Sequence, residues 1–496
     1  MGMNFVIEMQ MGPAPLNARA ERTAMKSMVM QRFIMPALLA LLAGPAMAQP
    51  AKETNTASAG KPNIVFILAD DLGYGDLGCH DNRQVKTPHL DSFAHAAVEF
   101  THFHVSPVCS PTRASLMTGR YNFRTGVCDV SGKATMMDPS ELTIAECLKK
   151  GGYATGIFGK WHLGDDAEHN PNAQGFDEAL VHRGAAMHQY FNPELLHNGT
   201  PKKYDGYCMD IFTDAAIEFV KKNRAKPFFV YLPANLIHTP LQPVPELAAE
   251  FDALGLSDNT QKIYGMIRSV DNSFGKLRAT LRELGLEDDT LLIFTSDNGP
   301  CSGSKPLDRH MAGLHGLKGT VYENGIRVPC FMRWPNGFKS PAKATKLAAH
   351  IDMMPTILEA CGLPATPKLD GRSLLPLLRN PSAKWKDRSV FFQWDSGQQP
   401  RRGHAFTVLT EKWKLVQPCG MDAPGQRHIR DRYAELCGLQ GRGGRSIEGV
   451  PRYELYDIAA DPGETRDLAS QHPDIVERMK QEYEQWFTEV CARWNP

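Results

Sequence analysis

Asn63-Ile64-Val65-Phe66-Ile67-Leu68-Ala69-Asp70-Asp71 is the stretch from which the fold can be read. After Asn63 the run is unbroken in its apolar character and rich in β-branched residues. That pattern suits a strand covered on both faces, as in a parallel sheet with helices on each side. The run stops abruptly at two acids, followed by Gly73 and Gly75. Far along the chain, Thr290-Leu291-Leu292-Ile293-Phe294-Thr295-Ser296 repeats the design and ends in Asp297-Asn298-Gly299. Ligands of open α/β sheets gather beyond the carboxyl ends of strands, so two such runs are expected to bring Asp70, Asp71, Asp297 and Asn298 together. Converging carboxylates repel one another unless a cation sits between them. Hard oxygen ligands suit calcium or magnesium, and the absence of soft ligands nearby disfavours zinc. Either acid pair alone also reads as a turn or a helix cap; two pairs at two strand ends favour the metal.

Working outward, Thr155 to Gly159 reads as another short strand that delivers Lys160-Trp161-His162. On an extended segment alternate residues point the same way, so Lys160 and His162 are expected at one site with Trp161 turned into the fold. Pro227 to Leu232 is a further core strand, and the loop beyond it carries His238 before Pro240. Asp205 to Asn223 reads as a helix packed on the sheet by Ile211, Phe212, Ala215, Ile217, Phe219 and Val220. Lys318 lies in Gly316-Leu317-Lys318-Gly319, where it can approach an anion as a compact charge or simply face solvent. In Cys109-Ser110-Pro111-Thr112-Arg113, Pro107 and Pro111 push the residues before them towards extended geometry. Cys109 is therefore expected on a turn, with a helix continuing from Ala114. A helix N-terminus favours an anion, and Arg113 offers its planar fork of donors to the same spot.

The 496 residues balance to a formal charge of zero, which gives no ground for a nucleic-acid partner. Lys26 and Arg32, the apolar run Phe33 to Leu42 and Gly44-Pro45-Ala46-Met47-Ala48 read as a leader with an export signal cleaved after Ala48. The run is too short for a membrane anchor. Residues 49–61 read as a linker, 62–384 as the catalytic domain and 385–496 as a C-terminal subdomain. The expected class is α/β: a large mixed, mostly parallel sheet flanked by helices, with a smaller α+β subdomain of antiparallel sheet plus helix. The subdomain strands are placed at Ser389–Trp394, Ala405–Leu409, Trp413–Val416 and Tyr453–Tyr456, and the helix at Ile475–Trp494. Ile351 to Ala360 reads as a core helix that Pro355 either kinks or opens. Eleven cysteines show no Cys-x-x-Cys spacing; Cys419 with Cys437 is one conceivable pair among several. Arg401, Arg402, Arg427, Arg430, Arg432, Arg442 and Arg445 read as a solvated stretch or, alternatively, as a grip on a polyanionic glycan.

Several of these segments together resemble the type I sulfatases of the alkaline-phosphatase-like superfamily. The resemblance is carried by Cys109-x-Pro111-x-Arg113 with Thr118-Gly119-Arg120, Asp70-Asp71-x-Gly73-Tyr74-Gly75-Asp76, Gly159-Lys160-Trp161-His162-Leu163-Gly164 and Ser296-Asp297-Asn298-Gly299. Where family members commonly have Glu-Gly-Gly, this chain has Glu323-Asn324-Gly325, and Asn tolerates left-handed backbone. The resemblance implies a formylglycine made from Cys109 by a maturation enzyme, and one calcium ion on Asp70, Asp71, residue 109, Asp297 and Asn298. It also implies roles for Arg113, Lys160 and Lys318 in sharing negative charge, and for His238 with Lys318 in protonating the leaving group. His162 would take the proton that lets sulfate leave by carbon–oxygen cleavage. The implied substrate is a sulfated carbohydrate or an aryl sulfate, met in the periplasm or outside the cell. A phosphonate monoester or phosphodiester hydrolase of the same superfamily is the alternative, and a non-catalytic glycan-binding relative a third. The loops Val181 to Tyr207 and Ser302 to His315, with His188, Tyr190, Asp308, Arg309 and His310, are candidates for sugar contact or framework.

Overall fold

The run Asn63–Ala69 is a strand with every residue buried, and its two faces enter two different cores. Ile64, Phe66 and Leu68 pack with Leu116, Ile144 and Met353 from the helices Cys109–Thr118, Ile144–Lys150 and Met353–Ala360. Val65, Ile67 and Ala69 pack with Phe212, Val220, Ile267 and Phe274 from the helices Cys208–Asn223 and Asp258–Glu283. Apolar cover on both sides explains why the strand reads as continuous rather than alternating. The computed structural model describes residues 60–301, 308–394, 397–418 and 453–494. The export signal, Cys419, Cys437, Arg427, Arg430, Arg432, Arg442 and Arg445 lie outside the described residues.

In chain order the strands are β1 (Asn63–Ala69), β2 (Val98–Phe100), β3 (Phe103–His104), β4 (Ala154–Gly159), β5 (Glu178–Val181), β6 (Glu194–His197), β7 (Thr200–Lys203), β8 (Phe228–Pro233), β9 (Thr290–Ser296), β10 (Cys330–Arg333), β11 (Ala342–Ala344), β12 (Ala348–Ala349), β13 (Val390–Gln393), β14 (Phe406–Leu409), β15 (Trp413–Gln417) and β16 (Glu454–Asp457). The large sheet runs β11-β2-β10-β9-β1-β8-β4-β5-β6-β7. Its centre, β9-β1-β8-β4-β5, is parallel, and antiparallel partners β10 and β6 flank it. β13 to β16 form a separate antiparallel sheet covered by the helix Pro473–Val490. The α/β class and the smaller α+β unit are as expected.

Three local expectations need correction. The helix begins at Cys109 itself, not after Pro111, because the first-turn N–H groups have no intrahelical acceptor and a proline there costs nothing. His162 has φ 60, so Lys160 and His162 do not lie on one extended segment; a left-handed residue swings the imidazole instead. Asn324 lies within the short helical turn Glu323–Ile326, where its Nδ2 donates to the Gly316 carbonyl at 3.0 Å, so left-handed tolerance is not what keeps it there. Pro355 falls in the first turn of Met353–Ala360 and opens that helix without kinking it.

Candidate active site

β1 and β9 are hydrogen-bonded neighbours with Ala69 opposite Ser296, so the acids that follow each strand emerge side by side. The Asp297 N–H donates to the Ala69 carbonyl at 3.0 Å, and the Asp71 N–H to Asp297 Oδ1 at 3.2 Å, which locks one loop to the other. Asp71 takes φ 66, an unusual conformation that needs support. Arg309 supplies it: one Nη donates to the Asp71 carbonyl at 2.9 Å while Nε holds Asp76 Oδ1 at 2.6 Å. Asp76 also accepts the Gly73 N–H at 2.5 Å. Position 299 has no room for a side chain, since an added Cβ would lie 1.7 Å from the Asn324 carbonyl oxygen.

Cys109 opens the helix behind extended Val108 and is 2% exposed. One turn on, Arg113 donates Nε and Nη2 to Asp297 Oδ2 at 3.0 and 2.6 Å and Nη1 to the Lys160 carbonyl at 2.8 Å. Lys160 Nζ donates to Asp70 Oδ2 at 2.7 Å, and Lys318 Nζ to Asp71 Oδ1 at 2.5 Å. Three carboxylates and three cations thus interlock, all buried except Lys318, which is partly exposed. Burial alone would raise the Asp70 carboxyl, but Lys160, His238, Arg113 and Lys318 outweigh it and hold it well below the usual range. Burial followed by the neighbouring Asp70 pushes Asp297 up to about 6 against the pull of Arg113 and Lys160. Burial also raises the Cys109 thiol despite Lys160 and Lys318, so an unmodified cysteine here is a protonated, poor nucleophile.

Three buried oxygens of this cradle, Asp70 Oδ1, Asp71 Oδ2 and Asn298 Oδ1, have no hydrogen-bond partner. Asn298 Nδ2 donates to Asp71 Oδ1 at 2.7 Å, which leaves its own oxygen free of that contact. A ring nitrogen of His238 and the carboxylate oxygens of Asp70 and Asp71 lie within 4.8 Å of one another. Buried oxygens without donors are what a hard cation satisfies, and the donor set fits calcium. Both Asp297 oxygens are engaged, by Arg113 and by the Asp71 N–H.

Each histidine is oriented by a backbone carbonyl. A carbonyl only accepts, so His162 donates Nε2–H to Val130 at 3.1 Å and keeps its lone pair on Nδ1, which is buried without a partner. Burial, Lys160 and Arg113 hold its pKa well below the ordinary value, which leaves it neutral and able to take a proton. His238 donates Nδ1–H to Thr239 at 2.7 Å, leaving Nε2 for chemistry. Burial, Lys318 and Lys160 lower its pKa too.

The structure thus assembles Asp70, Asp71, Cys109, Arg113, Lys160, His162, His238, Asp297, Asn298 and Lys318 in one region. Several loop candidates become framework. Tyr190 is fully buried and donates its hydroxyl to the His238 carbonyl at 2.7 Å. Asp308 accepts from Ser257 at the start of the helix Asp258–Glu283, and Arg309 is the Asp71 brace described above. Arg402 donates to Thr488 at 3.1 Å on the C-terminal helix. The brace partner Asp76 stands inside the quoted Asp70 to Asp76 motif, the one signal that could have pointed to it. Buried His182, beyond β5 with its N–H on the Gly159 carbonyl at 3.3 Å, carries no local signal.

The profile of the family described as Sulfatase matches residues 62–363, and one described as N-sulphoglucosamine sulphohydrolase, C-terminal, matches 313–422. Human arylsulfatase A is 32% identical, the alignment covering 90% of this chain and 89% of that protein. N-acetylgalactosamine-6-O-sulfatase of Bacteroides thetaiotaomicron is 30% identical over 90% of this chain and 97% of that one. Among solved structures, Ps i-CgsB in complex with k-i-k-neocarrahexaose matches at TM-score 0.72 and 28% identity, over 86% of this chain and 92% of that one.

Proposed function

This chain belongs to the sulfatase family of sulfuric ester hydrolases, and from that premise we propose that it cleaves sulfate esters of a carbohydrate, and aryl sulfates, through a formylglycine at position 109 and one calcium ion. The observation that carries the reading is the set of three partnerless oxygens, Asp70 Oδ1, Asp71 Oδ2 and Asn298 Oδ1, in a cradle whose carboxylates are held by Arg113, Lys160 and Lys318, cations whose charges also act on the buried residue 109. A carbohydrate is favoured because similar proteins include one named for N-acetylgalactosamine 6-O-sulfate and one solved with a carrageenan-type oligosaccharide.

Asp70, Asp71, Asp297 and Asn298 would hold calcium, which when bound supplies positive charge to the sulfuryl oxygens and to residue 109. A hydrated aldehyde at 109 supplies the oxygen nucleophile that the protonated thiol does not. Arg113 and Lys160 hold the carboxylates in register and add charge that is not diluted by water. Lys318, whose side chain is 16% exposed, is the cation open to an arriving anion. His162 accepts a proton on Nδ1. His238 gives one from Nε2 after it is itself protonated, a state that a neighbouring sulfate monoanion favours.

Residues 62–384 would form the catalytic domain and 385–496 the subdomain, with export by a signal cleaved after Ala48; amino-terminal sequencing of the exported protein should begin at Gln49. The central test uses protein made with a formylglycine-generating partner. Mass spectrometry of the peptide spanning Cys109 should show the aldehyde, and sulfated monosaccharides and an aryl sulfate should be turned over. An aryl phosphodiester cleaved with higher kcat/KM than the aryl sulfate would overturn the assignment of the ester.

A further inference from the structure

Asp129 is a carboxylate 2% exposed that no step above uses. It accepts the Val130 N–H at 2.7 Å, the Trp394 Nε1–H at 3.0 Å and the Gly397 N–H at 2.9 Å. Trp394 and Gly397 belong to the segment leaving β13 of the C-terminal sheet, 265 residues away in the case of Trp394. Cys128 adds a weak contact from its thiol to the Gly397 carbonyl at 3.6 Å. Hydrogen bonds to an ionised acceptor are the strong ones, and several donors on one buried carboxylate fix it rigidly.

The residue after this carboxylate carries the carbonyl that orients the active-site base. Val130 accepts the Nε2–H of His162 at 3.1 Å, which decides both the ring's tautomer and its placement. The same indole backs a second member of the site. Gly319, at φ +85, follows Lys318, and a Cβ there would meet Cζ3 of Trp394 at 2.9 Å. One half-buried tryptophan of the C-terminal sheet thus braces the loop that holds His162 and covers the turn that presents Lys318.

We infer that Trp394 and Asp129 are positioning residues, through which the C-terminal sheet sets the tautomer and placement of His162 and supports Lys318 from behind. The kinetic side of this rests on the proposed proton-accepting role of His162; the structural side does not. Trp394→Phe keeps a ring over Gly319 and removes the donor to Asp129. Asp129→Ala removes the acceptor. Trp394→Ala removes both the donor and the cover over Gly319.

Histidine side-chain nitrogen NMR on the full chain, with His162 assigned by the loss of its signals in His162→Asn, reads the geometry without any turnover. Wild type should show the Nε2–H form with a slowly exchanging proton. Trp394→Phe and Asp129→Ala should speed that exchange about 10-fold or more. On an aryl sulfate, Trp394→Phe should lower kcat about 10-fold with KM within about twofold, since a base out of place slows the step and not binding. Trp394→Ala should raise KM as well, through Lys318. Unchanged exchange in Trp394→Phe, with its thermal transition intact, would overturn the inference, as would a change in KM alone. Should Asp129→Ala not fold, Trp394→Phe decides by itself. Should wild type release no sulfate from any ester, the functional reading fails while the exchange measurement still decides this one.

Discussion

At the scale of single residues, position 109 decides on the proposed route whether a catalytic cycle can close. A serine there has one oxygen and no second hydroxyl, so sulfate transferred to it has no exit except attack by water at sulfur. Cys109→Ser is expected to release at most about one equivalent of alcohol per enzyme in rapid-quench assays; sustained turnover would exclude the proposed route. Asp71 bears on the proposed calcium site. It holds Lys318 through Oδ1 and leaves Oδ2 without a partner. Calcium added to the wild type should raise the melting temperature, because a ligand that binds only the folded chain stabilises it. Asp71→Asn should lose most of that shift in differential scanning fluorimetry.

At the scale of elements, β4 ends at Gly159, where φ is +138 and an added Cβ would stand 2.0 Å from the Pro233 carbonyl oxygen of β8. Gly159→Ala must therefore force these central strands apart and displace Lys160. A loss of about 2–4 kcal/mol in urea unfolding is expected, with activity falling alongside. A second element-level prediction concerns the buried link between β15 and the Glu323 turn. Lys414 Nζ sits 2.9 Å from Glu323 and 2.8 Å from Glu464, and His104 Nε2 lies 3.1 Å from Glu323. Burial first, and Glu323 next, push Glu464 up to about 8 against Lys414. Burial would raise Glu323 too, but Lys414 and His104 pull it well below its usual value. The unfolded chain sheds the Glu464 proton near pH 4.5 and the folded chain keeps it to about 8, so folding stability falls as pH rises through that window. Glu323 acts oppositely, giving stability above its unfolded value that is lost only in stronger acid. Glu464→Gln should flatten the decline between about pH 5 and 8 in urea titrations.

These elements also show what a sequence can and cannot disclose. β1, β9, β4 and β8 were legible because burial on both faces leaves continuous apolar runs. β7, Thr-Pro-Lys-Lys, is exposed along its whole length and carries no such signature. The 26-residue helix Asp258–Glu283 is not among the expectations above, although Ile263, Ile267, Val270, Phe274, Leu277 and Leu281 repeat at helical spacing. Site residues on strand ends and in short motifs could be named in advance. Asp129 and Trp394 could not, since each gains its meaning from a partner 265 positions away.

At the scale of the whole molecule, a third core joins the C-terminal sheet and helix to the larger body of the chain. Trp486 stacks on Phe391 at 5.0 Å and meets Tyr121 edge-on at 5.2 Å, so one indole touches both. Trp486→Ala should destabilise by about 3–5 kcal/mol in chemical unfolding. The kcat of the fraction that stays folded should be unchanged, which separates this anchor from Trp394.

The enclosure of Cys109 sets a calendar for the protein's own making. Every residue from Phe103 to Gly119 is buried, and the side chains that close over the thiol come from as far as Asp297 and Lys318. If residue 109 is converted as proposed, an oxidising enzyme would have to reach that cysteine while the nascent polypeptide is still open, before its distal half has been threaded into place. On that route, chain that folds first would be sealed against later rescue.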